Sequence, residues 1–120
     1  MRKTIWVGLT MLWSANPAFA FDHTFVNMTP YGVQLDLLYV GPSNCRPAHK
    51  VLPAQTTLRL DAGVCALQKI SGEVDEERSG RKNAVPLTPY APGQIYSGNG
   101  TFLVTGPDVK GMYAVRLHAK

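Results

Sequence analysis

The chain is 120 residues long and 45% hydrophobic, with twelve Lys and Arg against eight Asp and Glu, for a formal net charge of +4. That length is one domain's worth. The only basic cluster, Arg78, Arg81 and Lys82, sits beside Glu73, Asp75, Glu76 and Glu77, so there is no concentrated patch of the kind that binds nucleic acid or an anionic membrane.

The first twenty residues read as a secretory signal. Arg2 and Lys3 form a short positive region, Ile5 to Trp13 an apolar one, and Ala18-Phe19-Ala20 a small-x-small cleavage site. The apolar run is too short for the roughly 20 helical residues that cross a bilayer, and no later stretch is long and apolar enough to do so. The expectation is a cleaved segment 1–20, an exported domain 21–120 and no membrane span in the mature chain. Loss of Arg2 and Lys3 leaves ten basic residues against eight acidic ones, a mature charge of +2.

Cleavage after Ala20 would expose Phe21-Asp22-His23. A free α-amine, two amide nitrogens and the imidazole of a third-position histidine can wrap a metal in a square plane, which suits Cu(II) or Ni(II). This resembles the amino-terminal copper- and nickel-binding motif, and the resemblance makes His23 the candidate metal ligand.

Beyond the terminus no window carries a sustained apolar repeat of 3.6 residues. Period-two alternation, the mark of half-buried strands, recurs instead. A short strand is predicted at about Thr24 to Met28. The turn Thr29-Pro30-Tyr31-Gly32 precedes a second, with Val33, Leu35, Leu37 and Tyr39 on one face. Gly41-Pro42-Ser43-Asn44 ends it, and His49 falls in a Pro-flanked loop. Leu58 and Leu60 mark another strand. Val64 to Val74 is extended, but Leu67 and Ile70 are out of phase, which a β-bulge near Gln68-Lys69 would reconcile. Glu73 to Pro86 is polar and charged and reads as a long exposed loop or irregular hairpin. Ser97-Gly98-Asn99-Gly100 carries an Asn-Gly hairpin signal between Ile95-Tyr96 and Phe102. Gly106-Pro107-Asp108 opens a turn before the strand of Tyr113, Val115 and Leu117. The sum is an all-β, antiparallel sandwich or small barrel of six to eight strands. Its predicted core is Phe25, Val33, Leu35, Leu37, Leu58, Leu60, Leu67, Phe102, Val104, Tyr113, Val115 and Leu117.

Cys45 and Cys65 are the two cysteines. They lack C-x-x-C spacing and an adjacent base, so in an oxidising compartment they are expected to form a disulfide.

Gly93-Gln94-Ile95-Tyr96-Ser97-Gly98, followed by Phe102 and Thr105-Gly106, resembles the C-terminal motif of periplasmic inhibitors of C-type lysozymes. Those are small exported β-barrels. The resemblance covers about 15 residues, and Pro92 and Thr105 stand where that family has its inhibitory serine and lysine. It implies a β-hairpin and an inhibitor's kind of role.

No nucleophile-elbow, zinc-protease or phosphate-loop motif is present. Tyr90 and Tyr96, beside Pro89 and Pro92, are the candidate contact residues, because tyrosine gives amphipathic contact area at low entropic cost. Asn27-Met28-Thr29 and Asn99-Gly100-Thr101 match the glycosylation pattern. The functional expectation is a non-catalytic binding module that meets a protein or glycan through its loops, as an inhibitor or immunity-type protein would. The alternatives are a metal-handling protein and a structural cell-envelope protein.

Overall fold

A computed structural model of the chain describes residues 21–41, 44–91, 96 and 98–118. The predicted signal segment, residues 1–20, lies outside the described residues. Among them are eight strands and no helix: β1 Phe21–Asn27, β2 Gly32–Val40, β3 Ala48–Leu52, β4 Thr57–Gly63, β5 Ala66–Arg78, β6 Arg81–Thr88, β7 Gly100–Thr105 and β8 Tyr113–Leu117. They form one sheet in the order β3-β2-β5-β6-β8-β7-β1-β4, curled into a nearly closed barrel.

The pairing is mostly antiparallel, as expected, but β1 runs parallel to β7 and β6 parallel to β8. Two local expectations change with it. Tyr96 does not form a hairpin with β7. It bridges Leu67 instead, with hydrogen bonds of 2.8 and 2.9 Å in the two directions, while β7 lies beside β1. The Asn-Gly signal is therefore a corner between distant partners. His49 lies in a strand, β3, rather than a loop. Five residues, two of them His49 and Lys50, are too few and too polar to show an alternating pattern.

The bulge appears where the phase break placed it. Leu38 faces Lys69 and Tyr39 faces Leu67, so Gln68 is the extra residue, and Leu67 and Ile70 both reach the core. The stretch Glu73 to Pro86 is a regular ladder, pairing Glu73 with Pro86 through to Arg78 with Arg81. Ser79 and Gly80 turn it at φ of 52° and 76°, the positive-φ pair of a tight hairpin. Its alternation was hidden because a carboxylate occupies an inward position. Glu76 is 2% exposed and accepts a 2.6 Å hydrogen bond from the buried Tyr113 hydroxyl, and Arg78 Nη2 lies 3.1 Å from its other oxygen. Burial first, and then the bond to Glu76, raise the Tyr113 pKa, so the phenol remains a donor.

Inward residues of β1, β2, β5, β7 and β8 close the core around Phe25, Leu35, Leu37, Leu67, Phe102, Val104 and Tyr113. Leu58 and Leu60, expected in the core, are half-buried, because β4 is an edge strand with no neighbour on its far side among the described residues. Leu117, near the end of β8, is 38% exposed.

Cys45 and Cys65 are bonded, with Cα atoms 5.7 Å apart. The bridge ties the β2–β3 connection to the start of β5, beside the Val40–Ala66 pair. Gly41 leaves room for it, since a β-carbon there would lie 2.6 Å from Cys45 Sγ.

Asn27 fastens the opposite end. Its amide nitrogen donates to the carbonyls of Tyr31, Leu52 and Pro53 at 2.8, 3.2 and 3.0 Å, and its Oδ1 accepts from Thr29 N and Oγ1 at 3.0 and 2.7 Å. One buried side chain thus joins the β1–β2 turn to the β3–β4 turn. The amide of the first glycosylation pattern is consumed in the folded domain.

Reducing the disulfide is expected to lower unfolding stability by about 3 kcal/mol, the loop-closure value for 20 residues of separation, read as a fall in the urea midpoint on adding dithiothreitol. Asn27→Asp is expected to cost about 3 kcal/mol in the same measurement, since it sets a carboxylate against three carbonyls and leaves them without a donor. A change under 1 kcal/mol would show that the two turns stand without this side chain.

Candidate functional site

The sequence-derived candidates meet at one end of the barrel, but as core. His23 alternates inward on β1 and is buried. Its Nε2 lies 2.9 Å from the Gly98 carbonyl, which can only accept, so Nε2 carries the proton. Nδ1 is then the acceptor for the Tyr39 hydroxyl at 3.2 Å. Burial pushes the Tyr39 phenol up to about 12, which keeps it a donor. The ring stacks on Tyr39 with centroids 5.7 Å apart and meets the edge of Phe102 at 6.1 Å.

The groups that the amino-terminal metal motif would use have other partners in this fold. A square-planar site needs the imidazole Nδ1 and the preceding amide nitrogens. Here Nδ1 is held by Tyr39, and Asp22 N donates to Asn99 Oδ1 at 2.8 Å. The fold commits both groups elsewhere, because period-two alternation sends His23 to the core. Among the described residues no three His, Cys, Asp or Glu side chains converge as a metal site.

Tyr90 and Tyr96, the candidate contact residues, also turn inward. Their ring centroids lie 5.6 and 5.5 Å from that of Phe102, edge to face, and Tyr96 donates to the Asn99 carbonyl at 2.6 Å. Both residues also bridge β5 through their backbone, Tyr90 at Ile70 and Tyr96 at Leu67. They are half-buried parts of the wall. Of the inhibitor-like segment, Pro92 to Ile95 and Ser97 lie outside the described residues. The remaining histidines are exposed: His49 Nδ1 pairs with Asp36 at 2.7 Å, and His118 ends the described chain.

The β7–β8 loop, Gly106 to Met112, stands where β1 and β7 end. It is tied internally. Asp108 N donates to Met112 O, and Gly111 N to Asp108 O, each at 2.9 Å. Asp108 Oδ1 accepts from Lys110 N and Met112 N at 2.8 and 2.9 Å. Gly106, at φ 136°, presses on Tyr113, where a β-carbon would lie 2.7 Å from the ring. The loop holds Val109 at its tip, 100% exposed, and leaves Met112 47% exposed. A cleft of about 340 Å³ at its base is lined by Thr88, Thr105, Pro107, Met112 and Arg116. The sequence carried a signal for this, an apolar residue inside Gly-Pro-Asp-Val-Lys-Gly, but a lone exposed valine is common and gave no reason to prefer it.

The fold is that of a small, disulfide-bonded, all-β protein built on one nearly closed sheet. A disulfide is characteristic of proteins that mature outside the reducing cytoplasm. Among the described residues no helix is long and apolar enough to cross a membrane. No protein-family model and no curated protein matches the chain. Among solved structures it is similar to a protein from Eubacterium rectale determined by NMR, at 10% identity, a TM-score of 0.54, and coverage of 88% of this chain and 94% of that one. At that identity the likeness is one of fold alone.

His23 makes stability pH-dependent with a definite sign. Burial, the largest influence, holds its pKa below 6.5, against weaker upward pulls from the Gly98 carbonyl and Asp22. The unfolded chain therefore binds a proton that the folded one resists, and stability is lost as pH falls below about 6.5. The urea midpoint is expected to fall more steeply between pH 7 and 5 in the native protein than in His23→Gln. Parallel profiles would mean that His23 is not the group responsible.

Proposed function

We propose that this protein is exported with cleavage after Ala20 and acts as a non-catalytic binding module that engages a protein through its loops, in the manner of an inhibitor or immunity-type protein. The observation carrying this reading is the β7–β8 loop, which is fixed by four internal hydrogen bonds and lifts Val109 wholly into solvent. Holding a loop in one conformation lowers the entropic cost of ordering it on binding. An apolar tip on a rigid convex loop fits a concave apolar pocket, with Lys110 at its rim.

A protein is favoured over a glycan because the aromatic rings that could stack on sugars are occupied. Tyr39, Tyr90, Tyr96 and Tyr113 pack in or against the core. A binding role also accords with the histidines, since His23 is held between Tyr39 and Gly98 and His49 is paired with Asp36 at the surface.

The test is capture from the extracytoplasmic fraction by the disulfide-bonded mature chain, with Val109→Asp beside it. A captured protein should be lost with the variant while the unfolding free energy from urea titration stays within about 0.5 kcal/mol of the parent, as for surface changes generally. Equal capture by the two forms would remove the loop from the interface.

A further inference from the structure

A second surface lies away from this loop, along the barrel wall. In the sheet order β3 and β4 are the two ends, and among the described residues each is hydrogen-bonded to a neighbour on one side only. They leave the same turn, Pro53 to Thr56, and run apart, so the wall has an open seam. The inward residues of β4, Leu58, Leu60 and Ala62, are only partly buried, whereas those of β2 are at most 8% exposed. Between the strands is a groove of about 290 Å³ with Tyr39, Ala48, Leu60, Ala62 and the Cys45–Cys65 bridge along it.

One residue in the groove is out of keeping with the rest. Lys50 is paired with Leu35 across β2 and β3, so it shares the inward face of Leu35 and Leu52. It is half-buried, and Arg46 lines the same groove. Asp61 lies on the β4 side, yet neither cation is within ion-pair distance of a carboxylate among the described residues. An inward-pointing lysine discourages indiscriminate pairing at a sheet edge. It also states what a permitted occupant must carry.

We propose that the seam is a docking site for an extended, acidic segment of a partner protein, which adds to the sheet as a strand and places a carboxylate over Lys50 and Arg46. The unpaired backbone of the edge supplies hydrogen bonds, and alternate side chains of the segment enter the groove. The segment's groove-facing residues beside the carboxylate are apolar and of modest size, matching Ala48, Leu60 and Ala62. A second copy of this chain is the poorer occupant. Its own β3 would set Lys50 and Arg46 against the same pair, and its β4 offers no net negative charge, since Arg59 lies two residues from Asp61.

The probe is a blocked nonapeptide with serine at even positions and Thr, Val, Glu, Val, Thr at odd ones, beside its counterpart with lysine at the centre. Both are titrated into the isotope-labelled, disulfide-bonded protein and followed by amide NMR. The glutamate peptide should shift amides of Ala48–Leu52 or Thr57–Gly63 and bind at least about tenfold more tightly than the lysine peptide. Lys50→Glu should reverse that preference, and Lys50→Met, which keeps an apolar stem at the edge, should abolish it. Val109→Asp should leave it unchanged, which separates this site from the β7–β8 loop. Absence of binding, equal affinity for the two peptides, or a preference indifferent to Lys50 would overturn the proposal. So would concentration-dependent shifts at β3 and β4 without peptide, which would assign the seam to self-association.

Discussion

The packing of Phe102 is the contact on which the rest of the structure depends. Its ring stacks on Phe25 at 5.5 Å and takes the edges of Tyr90, Tyr96 and His23 within 6.1 Å. Those residues come from β1, β7 and the segment after β6, so one side chain collects the beginning and the last third of the chain. Aromatic contacts of this geometry add to simple burial of area. The parallel pairing of β1 with β7 follows from it, because Phe25 and Phe102 sit opposite each other in that register.

Three buried polar side chains then fix what apolar packing leaves loose. Asn27 ties two turns together, His23 bridges β1 to the corner at Gly98, and Glu76 receives Tyr113 across the start of the β5–β6 hairpin. Asn27 and His23 meet partners that supply what they lack, the condition for burying a polar group without a large penalty. Glu76 accepts from Tyr113 through Oε2, whereas its buried Oε1 has no hydrogen bond among the described residues, only the Arg78 guanidinium 3.1 Å away. Asn27 is the last residue of β1, while His23 and Glu76 sit at inward positions within β1 and β5. The aliphatic core between them can then be ordinary.

This division also separates stability from recognition. The tyrosines and histidine that look suited to ligands are used to hold the wall, and the surfaces left over are of two other kinds. One is a loop made rigid by its own backbone and by Asp108. The other is an edge that the sheet does not close, marked by a lysine facing the inside. The first presents shape and the second, among the described residues, backbone with a neighbouring strand on one side only. A small domain with a single disulfide can carry both, because neither draws on the core around Phe102.

By itself the sequence determined the class of the fold. The alternation of Val33, Leu35, Leu37 and Tyr39, or of Tyr113 and Val115, is a local property of a half-buried strand, and local geometry is readable without knowing the neighbour. The bulge at Gln68 was legible for the same reason, and so was the pairing of two lone cysteines. What the tertiary structure alone decided is which strand lies beside which. Pairing Phe25 with Phe102, or Tyr96 with Leu67, joins residues far apart in the chain, and nothing local to either specifies the other. It also decided which polar residues are inside, His23 and Glu76 among them, because a polar residue in an inward position is identified only by the partner it meets. The loop at Val109 and the seam beside Lys50 belong to the same category, since exposure is a property of the whole surface and not of the segment.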